Sequence, residues 1–330
     1  SNVIWSQTEV AIQLEDVIRE VSEYLPYFVM ETFQVESRTG TASATTANAL
    51  VDATNAQFLS TDVGKVIYNT DDRTWAVVTA YVSTSQLTLS KDIMVSGEDY
   101  EMYNKGCKAN NEINIEDVGD YLDIVSVEFC TEQKPVRYRN WVLNGDILRI
   151  DIDFEPDDSA DSDADVDVHV IFAKVHKVSQ LTDLAGAVNN AAGYAAGSIS
   201  MIVDGLQTSG TIKEDTEFTI DGIRGTYRVT ADATIAGSQA TISFYPGLES
   251  AADDNDVITF TGSTLDRRLE RIVIDLAAGR AAMSKSRVST GGARNPRELE
   301  SWAGSKIIMA TESLRRIQPP ITSRTWSKVA

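Results

Sequence analysis

Apolar residues recur along this chain at two periods, and the change from one to the other marks its parts. Val10, Leu14, Val17, Ile18, Val21 and Leu25 fall three or four apart, the spacing of a helix with one buried stripe. Ser6-Gln7-Thr8-Glu9 reads as a capping box ahead of them, since the serine side chain can accept from the backbone N–H three residues on while the glutamate reaches back. Pro26 ends the element. The same period in Leu184, Val188, Ala191, Ala192, Ala195, Ile199 and Ile202 predicts a central helix over 181–203, although Gly193 and Gly197 each cost about 1 kcal/mol against alanine. It returns in Leu269, Ile272, Val273, Leu276 and Ala277 behind a Thr264 cap. It returns once more in Leu299, Trp302, Ala303, Ala310, Leu314 and Ile317, where Asn295 precedes Pro296 in the first turn. Gly291-Gly292 separates these two helices, and Pro319-Pro320 closes the second.

Between the helical stretches the period is two. A β module is expected over 40–104, with Phe58, Val63, Val66, Ile67, Trp75 and Val77 as candidate core, and a second over 210–262 follows the same order of turns and strands. Both reach one phrase, Ser85-Gln86-Leu87-Thr88-Leu89-Ser90 and Ser238-Gln239-Ala240-Thr241-Ile242-Ser243. Both then pass a carboxylate turn, Gly97-Glu98-Asp99 or Asp253-Asp254-Asn255-Asp256, before a last strand. Each reads as a small antiparallel barrel or sandwich of a size that can hold its own core. Leu148, Ile150, Ile152 and Phe154 predict one further strand and Val166, Val168 and Val170 another, joined as a hairpin across an acidic loop.

The expected fold class is therefore α+β: a helical frame of an N-terminal helix, a central helix and two C-terminal helices, carrying a β-hairpin and two small antiparallel β-barrel or sandwich insertions. The divisions fall at 1–38 for the first helix, 39–104 for the first module and 105–204 for the hairpin and central helix. The second module takes 205–263, the C-terminal helices 264–318 and an extended tail 319–330.

A chain of 330 residues with 42% hydrophobic content can bury more than one core. No run approaches the roughly 18 to 20 apolar residues that cross a bilayer, and the N-terminus lacks a basic-then-apolar export signal, so a cytosolic protein without a membrane partner is expected. Cys107 and Cys130 are expected to be separate free thiols. The net charge of −20 is uneven, with 13 basic against 6 acidic residues from Leu265 onward and 16 against 43 before it. A basic end on an acidic body suits docking on an acidic protein surface better than gripping nucleic acid.

Candidate chemistry is thin. The stretch 151–167 holds nine carboxylates in seventeen residues, and Asp161, Asp163 and Asp165 have the spacing that opens a calcium loop. The full motif fails, because Val166 stands where glycine is required and Phe172 where a carboxylate is. These three aspartates stay weak metal candidates. The other reading makes the run a solvated hairpin tip of mutually repelling charges, neutralised by a partner or lining an acidic channel through Asp157, Asp158, Asp161 and Asp163. His169 and His176 form no triad pattern, and Gly222-Ile223-Arg224-Gly225 lacks the βαβ setting of a dinucleotide fingerprint. No enzyme activity and no cofactor are expected. The C-terminal cations Arg267, Arg268, Arg271, Arg294, Arg297, Arg315, Arg316, Arg324 and Lys328 are read as docking groups.

Module openings such as GTASATTANALVDATNAQFLSTDVGKVIYN and closings such as SQLTLSKDIMVSGEDYEMYN resemble β modules of tailed-bacteriophage virion proteins. The N-terminal amphipathic helix, the two C-terminal helices and the extended tail resemble the head–tail connector adaptor family. That resemblance implies a virion protein assembled in the host cytoplasm as a ring, commonly of twelve copies, bound beneath the portal protein. A tail or stopper (nozzle) protein would follow, and double-stranded DNA would pass through without sequence-specific binding. It also implies a docking arm over 319–330, with Trp326 as anchor and Arg324 and Lys328 as charge partners, beside Arg315 and Arg316. The two β insertions exceed a minimal adaptor, which keeps open a tail, baseplate or capsid-decoration protein, or a calcium-stabilised binding module.

Overall fold

The computed structural model describes residues 7–131, 133–153, 156, 166–179, 181, 183–288 and 296–317. Strand makes up 37% of it and helix 21%. The expected helical frame with small insertions is therefore wrong: the described residues are mostly β, with three helices, a closed six-stranded barrel and a half-barrel. The chain divides into two compact units, one of Phe28–Lys174 and one of Ser1–Tyr27 with Val175–Ala330. Helix α1 (Gln7–Tyr24) buries Val17, Ile18 and Val21 and stops before Pro26, as its stripe predicts.

In the unit Phe28–Lys174, β1 (Tyr27–Gln34) leads into the first module. This comprises β2 (Thr39–Thr41), β3 (Ala49–Val51), β4 (Val66–Asn69), β5 (Thr74–Ser83), β6 (Gln86–Leu89) and β7 (Asp99–Tyr103), in the antiparallel order β2-β7-β4-β5-β6-β3. Leu50, Phe58, Ile67, Ala76, Val78, Leu87 and Met102 fill its core. Two expected core residues face out: Trp75 is 53% exposed and Val63 50%. On β5 the inward position belongs to Ala76, opposite Ile67. Val63 follows the 3-10 turn Ser60–Asp62, whose buried residue is Asp62.

The same unit continues with β8 (Glu112–Asn114), β9 (Tyr121–Phe129), β10 (Tyr138–Arg139), β11 (Trp141–Asn144), β12 (Ile147–Ile150) and β13 (Asp167–Lys174). These form a four-stranded sheet, β1-β13-β9-β10, and a three-stranded one, β11-β12-β8. Phe129, Leu148, Ile150, Val168 and Phe172 share one core between them. The expected hairpin across the acidic loop does not form: β12 pairs with β11 and β8, and β13 pairs with β9. Alternation marks a half-buried strand without naming its neighbour. Here the two-residue turn Gly145-Asp146, with Gly145 at φ +62, ties β12 to β11.

In the other unit, β14 (Ala185–Val188), β15 (Ser200–Asp204), β16 (Ser209–Ile212), β17 (Glu217–Ile220), β18 (Tyr227–Val229), β19 (Ala233–Ala236), β20 (Ala240–Tyr245) and β21 (Val257–Phe260) follow in turn. Six of them close a barrel, β14-β15-β20-β18-β17-β21, and β16 pairs with β19. The predicted central helix over 181–203 is absent, its residues supplying β14, β15 and the turns between them. Gly193 and Gly197 sit at φ +66 and +83, where a helix cannot continue. A Cβ at Gly193 would also lie 2.6 Å from the Ala252 carbonyl oxygen. Helices α2 (Arg267–Val288) and α3 (Pro296–Arg316) complete the unit.

The two modules share one circuit. The first runs first, sixth, third, fourth, fifth, second strand; the barrel, with β16 and β19 set aside, runs the same ring in the opposite sense. Register agrees as well. Gly40 faces Tyr100 where Gly186 faces Ile258, and Ile67 stands between Ala76 and Met102 where Phe218 stands between Tyr227 and Phe260. Neither glycine has room for a side chain: a Cβ would meet Asp52 Oδ2 at 2.6 Å in one case and Val203 Cγ1 at 2.8 Å in the other. The repeated phrase leaves the tip of equivalent hairpins, Ser83 opposite Gln86 and Ala236 opposite Gln239. The first circuit stays a half-barrel, its ends tied by the Ser43 N–H donating to Val51 O.

Candidate docking surface

Helices α1, α2 and α3 bury Val17, Val21, Leu269, Ile272, Val273, Leu276, Ala310 and Leu314 against one another. Asp266, not Thr264, caps α2, its carboxylate accepting from the N–H groups of Arg268 and Leu269. Gly279 lets α3 approach closely, since a Cβ there would lie 2.7 Å from Ile307 Cγ1. Ion pairs of Asp275 with Lys306 (2.7 Å), Glu20 with Arg280, and Glu9 with Lys285 lace the exposed rims.

The outer surface of this bundle divides by charge: α1 exposes Glu9, Glu15, Asp16, Glu20 and Glu23, while cations and apolar side chains stand out on α2 and α3. Arg267, Arg268 and Arg271 are exposed along α2, followed by Ile274 at 61% exposure. On the outward face of α3, Trp302, Ile308 and Met309 are exposed with Ser305 between them. Arg315 and Arg316 are exposed in the last turn. A shallow groove of about 130 Å³ lies between α1 and α2, lined by Glu9, Ile12, Gln13, Ala281, Ser284 and Lys285. The arm residues Arg324, Trp326 and Lys328 lie outside the described residues, as do Asp157, Asp158, Asp161, Asp163 and Asp165. Among the described residues no group of three or more His, Cys, Asp and Glu side chains is placed to hold a metal ion.

Two polar clusters that the sequence does not advertise are buried. In the barrel unit, both ring nitrogens of His176 are engaged, Nε2 with the Leu25 carbonyl and Nδ1 with Thr264 Oγ1, each at 3.0 Å. Burial holds its pKa below the ordinary histidine value. Tyr27 donates its phenol proton to Glu217, and burial followed by that hydrogen bond lifts its pKa above the tyrosine norm. Asp215 accepts from Arg228 at 2.9 Å and from Lys177 at 3.2 Å. Every ring atom of His176 that could move a proton is occupied, so the cluster is a joint rather than a reactive centre.

The second cluster fastens the first module. Arg38 spans Glu36 and Asp62, with Nη2 2.8 Å from Glu36 Oε2 and 2.5 Å from Asp62 Oδ1, and Lys65 pairs with both carboxylates. Burial opposes the charge on Glu36 and Asp62, but the Arg38 hydrogen bonds and the two cations outweigh it, holding both carboxyls below their ordinary range. Cys107 and Cys130 are free and buried, and burial pushes the Cys107 thiol up to about 12, so it is inert as a nucleophile.

The stretch 134–147 went unmarked in the sequence, yet Val136 is exposed just ahead of β10, Tyr138 on β10, and Val142 and Leu143 on β11. Its signal was available: an apolar run punctuated by cations instead of the carboxylates found elsewhere. The chain matches no family model, no curated protein and no solved structure.

Proposed function

We propose that this chain is a structural virion protein of a tailed bacteriophage, a ring-forming head–tail adaptor that joins the portal to the tail and forms part of the DNA channel. The observation that supports it is the single bundle made by α1, α2 and α3, which gathers the helices on which the family resemblance rests and exposes cations on α2 and in the last turn of α3, with Trp302, Ile308 and Met309 exposed on α3. The arginine row of α2 disfavours a two-fold contact with its own copy, because like charges would face each other. A heterologous contact onto an acidic surface avoids this, and such contacts close into rings. The work is mechanical: self-association closes the ring, the basic end binds the portal, and the far face recruits the next tail component.

Electron microscopy of the native assembly tests this. A closed ring with an axial channel and projecting β lobes is expected. A monomer, or a trimer seated on a capsid lattice, refutes the adaptor role.

A further inference from the structure

The three-stranded sheet ends on β11, and among the described residues no strand lies beside that edge. The Asp151 N–H donates to the Asn140 carbonyl at 2.8 Å. With Val142 opposite Arg149 and Asn144 opposite Ile147, this fixes which residues bond across to β12. Trp141 and Leu143 therefore turn their N–H and C=O groups away from it. Among the described residues no backbone partner meets those groups. Strand β10, just before, is likewise the edge of the four-stranded sheet. Soluble proteins usually guard such edges with lysine, proline, a bulge or a cover. Strand β11 reads Trp-Val-Leu-Asn, without charge or proline, and its register with β12 is regular. Val142 is 57% exposed and Leu143 38%.

Charge selects what can lie there. Over 134–149 the chain carries Lys134, Arg137, Arg139 and Arg149 against Asp146 alone, an island of positive charge in a body where acidic residues outnumber basic ones by more than two to one. Arg137 and Arg149 are exposed. We propose that β11 is a docking edge that accepts an acidic, extended segment of a partner chain as an added strand. The free backbone groups of Trp141 and Leu143 supply the ladder, Val142 and Leu143 meet alternate side chains, and Arg137 and Arg149 meet the carboxylates. This goes beyond the adaptor reading and holds whether or not a ring closes.

The test is fluorescence anisotropy of the full chain with a labelled synthetic peptide alternating valine and glutamate. Two controls accompany it, a peptide alternating valine and lysine, and the acidic peptide methylated on every second backbone nitrogen. The acidic peptide binds; methylation, Leu143→Pro, and Arg137→Glu with Arg149→Glu each weaken binding about tenfold or more. Proline suits an edge position whose N–H has no internal partner. If circular dichroism shows that Leu143→Pro disturbs the sheet, the methylated peptide reads the same ladder on the unaltered protein. No binding of the acidic peptide, binding indifferent to methylation, or equal binding of the lysine peptide overturns the proposal.

Discussion

Arg38→Met removes the centre of the buried ion network at the root of the first module, and the geometry sets the size of the effect. The guanidinium donates to both oxygens of Glu36, both oxygens of Asp62 and the Gln57 carbonyl, all within 2.9 Å. Asp62 is 0% exposed and Glu36 5%, so neither can recover its lost partner from water. Removing one member of a buried pair costs about 3 to 5 kcal/mol. Lys65 remains beside both carboxylates and Arg38 is itself 17% exposed, which argues for the lower end, about 3 kcal/mol. With two units in the chain a single unfolding transition is a poor reporter, so the assay is amide hydrogen exchange read on β4 and β7. A loss of that size speeds their exchange roughly a hundredfold. The difference between wild type and variant should hold at neutral pH and shrink as pH falls below about 4, because both carboxyls have folded-state pKa values below their unfolded ones and their contribution is lost as they protonate. An exchange change under about fivefold would place the network among exposed pairs worth under about 1 kcal/mol and refute the reasoning.

Other consequences are as direct. Gly279→Ala gains about 1 kcal/mol of helix propensity but sets a methyl 2.7 Å from Ile307 Cγ1 and 3.2 Å from the Ala303 carbonyl, so helical melting should move down, and Ile307→Ala in the same chain should restore part of it; an unchanged melt contradicts the close packing. Because His176 is buried neutral, its contribution is complete above about pH 6.5 and fades as pH falls and the unfolded form takes up protons first. His176→Asn should flatten that part of the stability profile, and an equally steep profile in the variant assigns the slope to other groups. On the adaptor proposal, deleting 319–330 should leave helicity intact and abolish co-sedimentation with portal rings, and Trp326→Ala should weaken such a complex by about 2 kcal/mol; lost helicity or solubility would mean the segment packs on its own subunit.

What the sequence made legible follows from how local each signal is. The stripes of α1, α2 and α3 run through several turns with caps or prolines at their ends, so those helices are found where expected. The stretch 181–203 misleads because small residues at helical spacing carry little burial information, and the glycines, at positive φ in the structure, were the better guide. The phrase shared by β6 and β20 sits on hairpins of like register in the two modules, but the expected bounds of the second leave out β14 and β15, with which its barrel begins. Strand pairing is not encoded in alternation, which is why β12 and β13 were identified as strands and assigned the wrong neighbours. Glu36, Arg38, Asp62 and Lys65 have no local pattern; only folding brings them together.

The position of that network gives the first module the character of a cantilever. Glu36 and Arg38 stand on the segment entering the lobe, Asp62 and Lys65 inside it. Asn104, on the segment leaving it, donates to the Gln34 carbonyl at 2.8 Å, back on the strand where the lobe began. A lobe hung from two unbraced strands would swing at its attachment. This one is cross-tied at the root, so a push at its far edge is carried into the β1-β13-β9-β10 sheet as bending of the whole beam.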